Sequence, residues 1–235
     1  MKAFIFGEVL FLQAIPRTID RLYEPWMLWV FVASLAMLAL VRVQFPRYIQ
    51  LVRWSFNNYR IAKQTFAQGD FQSRPEWLIT LPLTLFGYSM FLYLLINYMK
   101  GPSALGFMDF IRLVVMVGVI MILKVLAGYL VEALSHRFES IRVYLGNTFL
   151  IGTISGTALL LLSLAVALDL SDRSQWYFMV GLSIIALTYL FRLGRGVGHA
   201  ISERISLNYI ILYLCTLEIL PAGVLLKAIV ATYAL

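Results

Sequence analysis

The most chemically capable residues of this sequence stand where a membrane would be driest. In "YIILYLCTLEILPAGVLLK" (Tyr209–Lys227), Glu218 and Pro221 interrupt an apolar run that continues to Leu235. An ionised carboxylate at mid-bilayer costs a few kcal/mol or more unless it is paired or protonated. Pro221 has no amide proton to return to the carbonyl of Leu217, which leaves that oxygen open to a water, an ion or a neighbouring helix. Lys124 is the candidate counter-charge. If the run Phe110–Leu134 crosses in the opposite direction, Lys124 and Glu218 both lie ten residues from the same surface, about 15 Å deep. The expectation is an ion pair between the third and sixth spans. An acid, an amine and a helix break can lock helices in register, or they can move a proton in a coupled transporter. Lys227 lies nine residues beyond Glu218, on the opposite helix face and nearer the membrane surface, so it reads as an anchor reaching the headgroups.

Other clusters carry weaker chemistry. "EALSHRFE" places Glu132, His136 and Glu139 on one helical face, and "HAISE" places His199 four residues before Glu203. Imidazole and carboxylate suit several divalent metals, but Arg137, Arg142 and Arg204 lie nearby. Interfacial salt bridging is the plainer assignment, and no metal is expected. "RLGRGVGH" (Arg192–His199) is basic and glycine-rich. It lacks the strand context and the GK[ST] ending of a nucleotide loop, so Arg192 and Arg195 read as contacts to a lipid headgroup or a partner. No Ser-His-Asp pattern, HExxH or CxxCH is present. No cofactor and no enzymatic activity are expected. The single cysteine, Cys215, excludes an internal disulfide and a cysteine-based zinc site.

The elements that must position these groups are legible from hydropathy. Hydrophobic residues make up 61% of the 235 and charged residues 13%, about half the charged share of a soluble domain. Six runs are long enough to cross a bilayer: Trp26–Val43, Trp77–Tyr98, Phe110–Leu134, Val143–Leu168, Trp176–Leu193 and Tyr209–Leu235. The fold class is therefore an all-α integral membrane protein, a single domain over residues 1–235 with about six transmembrane helices. Three runs open on tryptophan, as an interfacial aromatic belt would require. "SRPEW" (Ser73–Trp77) and "YEPW" (Tyr23–Trp26) read as helix starts. Gly152 and Gly156 form a GxxxG pattern with Thr153, Ser155 and Thr157 around it, a signal for close helix packing.

Two segments read as amphipathic helices lying in the interface: residues 1–22, in which Glu8 breaks any signal-peptide pattern, and residues 46–68. In the second, Tyr48, Val52, Phe56, Tyr59 and Phe66 recur at helical spacing, with Arg53, Arg60 and Lys63 as contacts to anionic phospholipid or to a partner. The loops on one side of the six runs carry eleven lysines and arginines against six on the other. The richer side is expected in the cytoplasm, with both termini in the periplasm. The formal charge of +7 then reflects topology and anionic lipid, and no nucleic-acid partner is expected.

The strings "FRLGRGVGH" (Phe191–His199) and "YIILYLCTLEILPAGVLLK" resemble a family of polytopic inner-membrane proteins of the Bacteroidota catalogued as a domain of unknown function. The resemblance is clearest over Phe191–Lys227. It implies a multi-pass bacterial inner-membrane protein and no particular activity, substrate or cofactor. The combined reading is a non-catalytic component that stabilises or assembles a membrane complex, with a membrane-protein partner or a second copy of itself. The alternative is a small proton-coupled transporter with Glu218 as the titrating acid.

Overall fold

The structure is a computed structural model that describes residues 24–45, 76–100, 105–135, 138–168 and 174–202, with Gly223, Val224, Lys227 and Thr232 in helical conformation. Five long helices make up the continuous stretches: α1 (Pro25–Gln44), α2 (Glu76–Lys100), α3 (Phe107–Ser135), α4 (Phe138–Leu168) and α5 (Ser174–Ser202). Each contains a stretch long and apolar enough to cross a bilayer. No strand occurs among the described residues. The expected sixth span falls almost wholly outside them, as do the two expected amphipathic segments; of that span's charged groups, Lys227 is described, helical and exposed.

Local chemistry sets the helix starts. Pro25 opens α1, where a missing amide proton costs nothing and the fixed φ favours the helix. The carbonyl of Glu24 accepts from the Met27 amide at 2.9 Å. At the start of α3, the Asp109 carboxylate accepts from the Gly106 amide at 3.1 Å, while the Gly106 carbonyl accepts from the Asp109 amide at 3.1 Å. This reciprocal pair satisfies two backbone groups that would otherwise lack partners. Asp109 also meets Arg112 at 3.0 Å.

Burial divides the helices into two layers. Within the apolar stretches, 61% of α2 and 56% of α4 is buried, against 22%, 17% and 11% for α1, α3 and α5. The chain therefore encloses α2 and α4 and leaves three outer helices with large outward apolar side chains, among them Val43, Ile122, Leu187 and Leu190. A soluble protein would not expose so much oil, whereas in a bilayer these side chains meet lipid. α2 packs most extensively on α4 and also contacts α1 and α3; α4 also contacts α3 and α5.

Aromatic packing tightens the end of the bundle near the α1 start. Trp26 lies with its ring centre 5.3 Å from Tyr93, 5.2 Å from Phe107 and 5.0 Å from Phe110. Its indole N–H donates to the Glu24 carboxylate. The buried Tyr93 hydroxyl donates to the Leu105 carbonyl at 2.7 Å, tying α2 to the lead-in of α3. Trp26 thus serves as an inter-helix wedge, while Trp176, at 73% exposure, remains outward as a belt residue would.

A second wedge joins α2 to α5. Phe91 is fully buried, and a β-carbon at Gly181 would stand 2.2 Å from its ring and 2.9 Å from Leu162. Only glycine leaves room for that ring. Gly181→Val should destabilise the bundle by about 1–3 kcal/mol, read as a lower melting midpoint in detergent. Gly194→Ala, whose β-carbon would meet nothing within 4 Å, should leave the midpoint unchanged or slightly raised.

Candidate functional site

The polar side chains of the spans converge on the α2–α4 interface. The two helices lie two crossings apart in sequence and therefore run parallel. A β-carbon at Gly87 would stand 2.0 Å from the carbonyl oxygen of Gly156, and one at Gly156 would stand 2.8 Å from the Cα of Thr84. At this crossing backbone touches backbone. Lipid chains provide no hydrophobic drive between helices, so close van der Waals approach carries the association. The GxxxG pattern read from the sequence supplies one side of the contact; Thr84 and Gly87 supply the other.

Around the crossing the hydroxyls are occupied. Thr84 Oγ1 donates to the Thr80 carbonyl at 2.8 Å and lies 3.4 Å from Thr153 Oγ1. Thr153 donates to the Phe149 carbonyl at 3.1 Å, Thr157 to Thr153 at 2.7 Å and Ser163 to Leu159 at 2.8 Å. Ser155 Oγ has the Gly152 and Ile151 carbonyls at 3.0 and 3.1 Å. Its single proton is thereby used, so the Tyr88 hydroxyl, 2.5 Å away, is the donor in their contact. Most of these bonds return to the helix's own backbone, the ordinary way for Ser and Thr to satisfy themselves in lipid. Two buried atoms on α2, Ser89 Oγ and Asn97 Oδ1, have no hydrogen-bond partner among the described residues.

Among the described residues, the charged side chain that reaches this seam is Arg192. A β-carbon at Gly152 would stand 2.8 Å from Arg192 Nη2 and 3.9 Å from Thr84 Cγ2. The guanidinium of α5 therefore lies across the bare backbone of α4. Arg192 Nε is buried and has no hydrogen-bond partner among the described residues. One turn further, the Arg195 guanidinium sits 4.7 Å above the Phe191 ring, a cation–π contact.

The other sequence-derived site residues fall as follows. Lys124 is half-buried on α3 and makes a polar or charged contact of its own. Glu218, Pro221, Arg53, Arg60, Lys63, His136 and Glu203 lie outside the described residues, and so does the expected pairing of Lys124 with Glu218. Glu132 and His199 are placed on the α3 and α5 backbones. Among the described residues no three His, Cys, Asp or Glu side chains gather as a metal site would require. Sequence reasoning missed Tyr88, Thr84 and Gly87, because a lone Gly87 makes no GxxxG pattern on its own helix.

Five helices, each long and apolar enough to cross a bilayer, define a multi-pass membrane protein that is helical throughout its regular structure among the described residues. The family model described as "Domain of unknown function (DUF4271)" matches residues 27–229, most of the chain. The chain belongs to that family, in keeping with the resemblance seen over Phe191–Lys227. Comparison with curated proteins and with solved structures finds no match.

Removing the seam's contacts one at a time should rank them. Gly156→Ala should cost about 2 kcal/mol, because the added carbon meets backbone. Tyr88→Phe should cost about 0.6 kcal/mol, the usual worth of an inter-helix hydrogen bond in lipid. Reversible unfolding in mixed micelles measures both.

Proposed function

We propose that this protein is a non-catalytic structural component of the bacterial inner membrane that holds or assembles other membrane proteins, or further copies of itself. The observation that carries the reading is the use of the seam's hydroxyls. Nearly all bond to their own helix or, through Tyr88 and Ser155, to the facing one, and backbone contact closes the space between. Polar groups spent in this way fix helix geometry. A substrate path would need them turned toward a water-filled cavity. In this reading the outer faces of α1, α3 and α5 meet lipid and partner helices, and the basic segment with Arg53, Arg60 and Lys63 lies on the cytoplasmic leaflet.

A second reading rests on a specific sequence observation: Glu218 with Pro221 three residues later inside an apolar run. It makes the protein a small proton-coupled transporter with Glu218 as the titrating acid. The paired change Lys124→Met and Glu218→Gln separates the two. A structural component keeps its fold and its partners when both charges are replaced by neutral groups of similar size. A transporter keeps its fold and loses proton uptake into proteoliposomes containing a pH-sensitive dye. Cross-linking in intact membranes, followed by purification in mild detergent, should give a discrete heavier species. A purely monomeric wild-type protein with Glu218-dependent proton flux would overturn the structural reading. Labelling of cysteines introduced between α1 and α2, at positions 46–75, should occur from the cytoplasmic face only.

A further inference from the structure

Arg192 sits three residues before the end of the apolar stretch Gln175–Arg195 of α5, about 5 Å along the axis. Arginine keeps its charge at any pH a cell meets. An ionised group at this depth needs a counter-charge or water around its whole fork. Arg192 has neither in full among the described residues, since its Nε is cut off from solvent and unpartnered there, and its fork rests against the uncharged backbone at Gly152. Gly152 is what permits this pose, because a β-carbon there would stand 2.8 Å from Nη2. A second cation, Arg195, lies one turn further toward the surface, steadied over Phe191. Added β-carbons at Gly194 and Gly198 would meet nothing within 4 Å among the described residues, which leave the backbone beside the two arginines open to approach.

We propose that Arg192, laid over Gly152 and supported by Arg195, binds a phosphate group at the membrane boundary. The planar guanidinium matches phosphate oxygens two at a time. The depth of Arg192 is that of the boundary between acyl chains and headgroups, within reach of the phosphodiester of an anionic phospholipid. Inorganic phosphate carries the same chemistry and would arrive from the water. Arg192 is the residue that binds, Gly152 is the notch that positions it, and Arg195 adds field at the entrance. This inference does not depend on the reading of the protein as an assembly component.

The test uses the delipidated full-length protein in a neutral detergent. Its melting midpoint and its bound species by native mass spectrometry are followed as dioleoylphosphatidylglycerol, dioleoylglycerol or inorganic phosphate is added. Phosphatidylglycerol should bind and raise the midpoint. Dioleoylglycerol, with the same chains and no phosphate, should do neither. Arg192→Met should abolish the effect and leave the midpoint without lipid largely intact. Arg192→Lys keeps the charge and loses the fork; it should fold even if Arg192→Met does not, and should bind on the order of tenfold more weakly, the worth of one charge-assisted hydrogen bond. Arg112→Met, changed at an exposed arginine of α3, should bind as wild type. Stabilisation by inorganic phosphate that is equally sensitive to Arg192 would support the site and identify its occupant as the free anion. Equal stabilisation by dioleoylglycerol, or lipid binding indifferent to both Arg192 variants, would overturn the proposal.

Discussion

The contact between the backbones of Gly87 and Gly156 is the constraint around which the rest of the bundle is arranged. In water a protein can rely on hydrophobic burial to bring helices together. In lipid the alternative environment is just as oily, so association depends on how closely surfaces fit. Two helices that meet at glycine can approach until main-chain atoms touch, and every side chain near the crossing gains contacts as a result. α2 and α4 are the most buried helices because they share this crossing. α1, α3 and α5 are then placed by what projects from that pair: Tyr93 receives Trp26 and Phe110, and Phe91 fills the notch at Gly181.

The same crossing explains how the polar groups are used. Thr84, Thr153, Ser155 and Thr157 are small enough to sit between closely spaced helices, and their hydroxyls find carbonyls one turn back. The seam is polar in composition and closed in structure. Arg192 is the exception, a large cation brought to the seam's edge by the absence of a side chain at Gly152. Its environment differs from that of Arg195, which is balanced by an aromatic face, and of Arg112, which meets a carboxylate near the surface.

Much of this architecture was legible in the sequence, and the remainder was not for identifiable reasons. The five described spans follow from hydropathy alone, since twenty apolar residues have few alternatives to a membrane helix. The start at Pro25 follows from local steric chemistry. Gly152 and Gly156 announced a close contact but could not name its partner, because α2 carries only Thr84 and Gly87 at the matching positions. Tryptophan at the head of a span suggested an interfacial belt; Trp176 follows that rule and Trp26 turns inward, a difference decided by Phe107 and Phe110 arriving from another helix. Arg192 read as one more basic residue near a membrane surface. Its placement over Gly152 depends on the antiparallel register of α4 and α5, which no local pattern encodes. The proposed pair of Lys124 and Glu218 bridges to residues beyond those described.

Because α2 and α4 are parallel, their shared interface has a consequence for biosynthesis. α2 emerges from the ribosome well before α4, with the reverse crossing of α3 made in between. During that interval Thr80, Thr84 and Tyr88 have no facing helix. The Thr84 hydroxyl, bonded to the Thr80 carbonyl of its own helix, is satisfied while it waits, whereas the Tyr88 hydroxyl gains its Ser155 partner only when α4 arrives. The final contact then adds close fit and the Tyr88–Ser155 bond to a helix whose Thr84 is already satisfied, which suits a chain that must be threaded into the bilayer one crossing at a time.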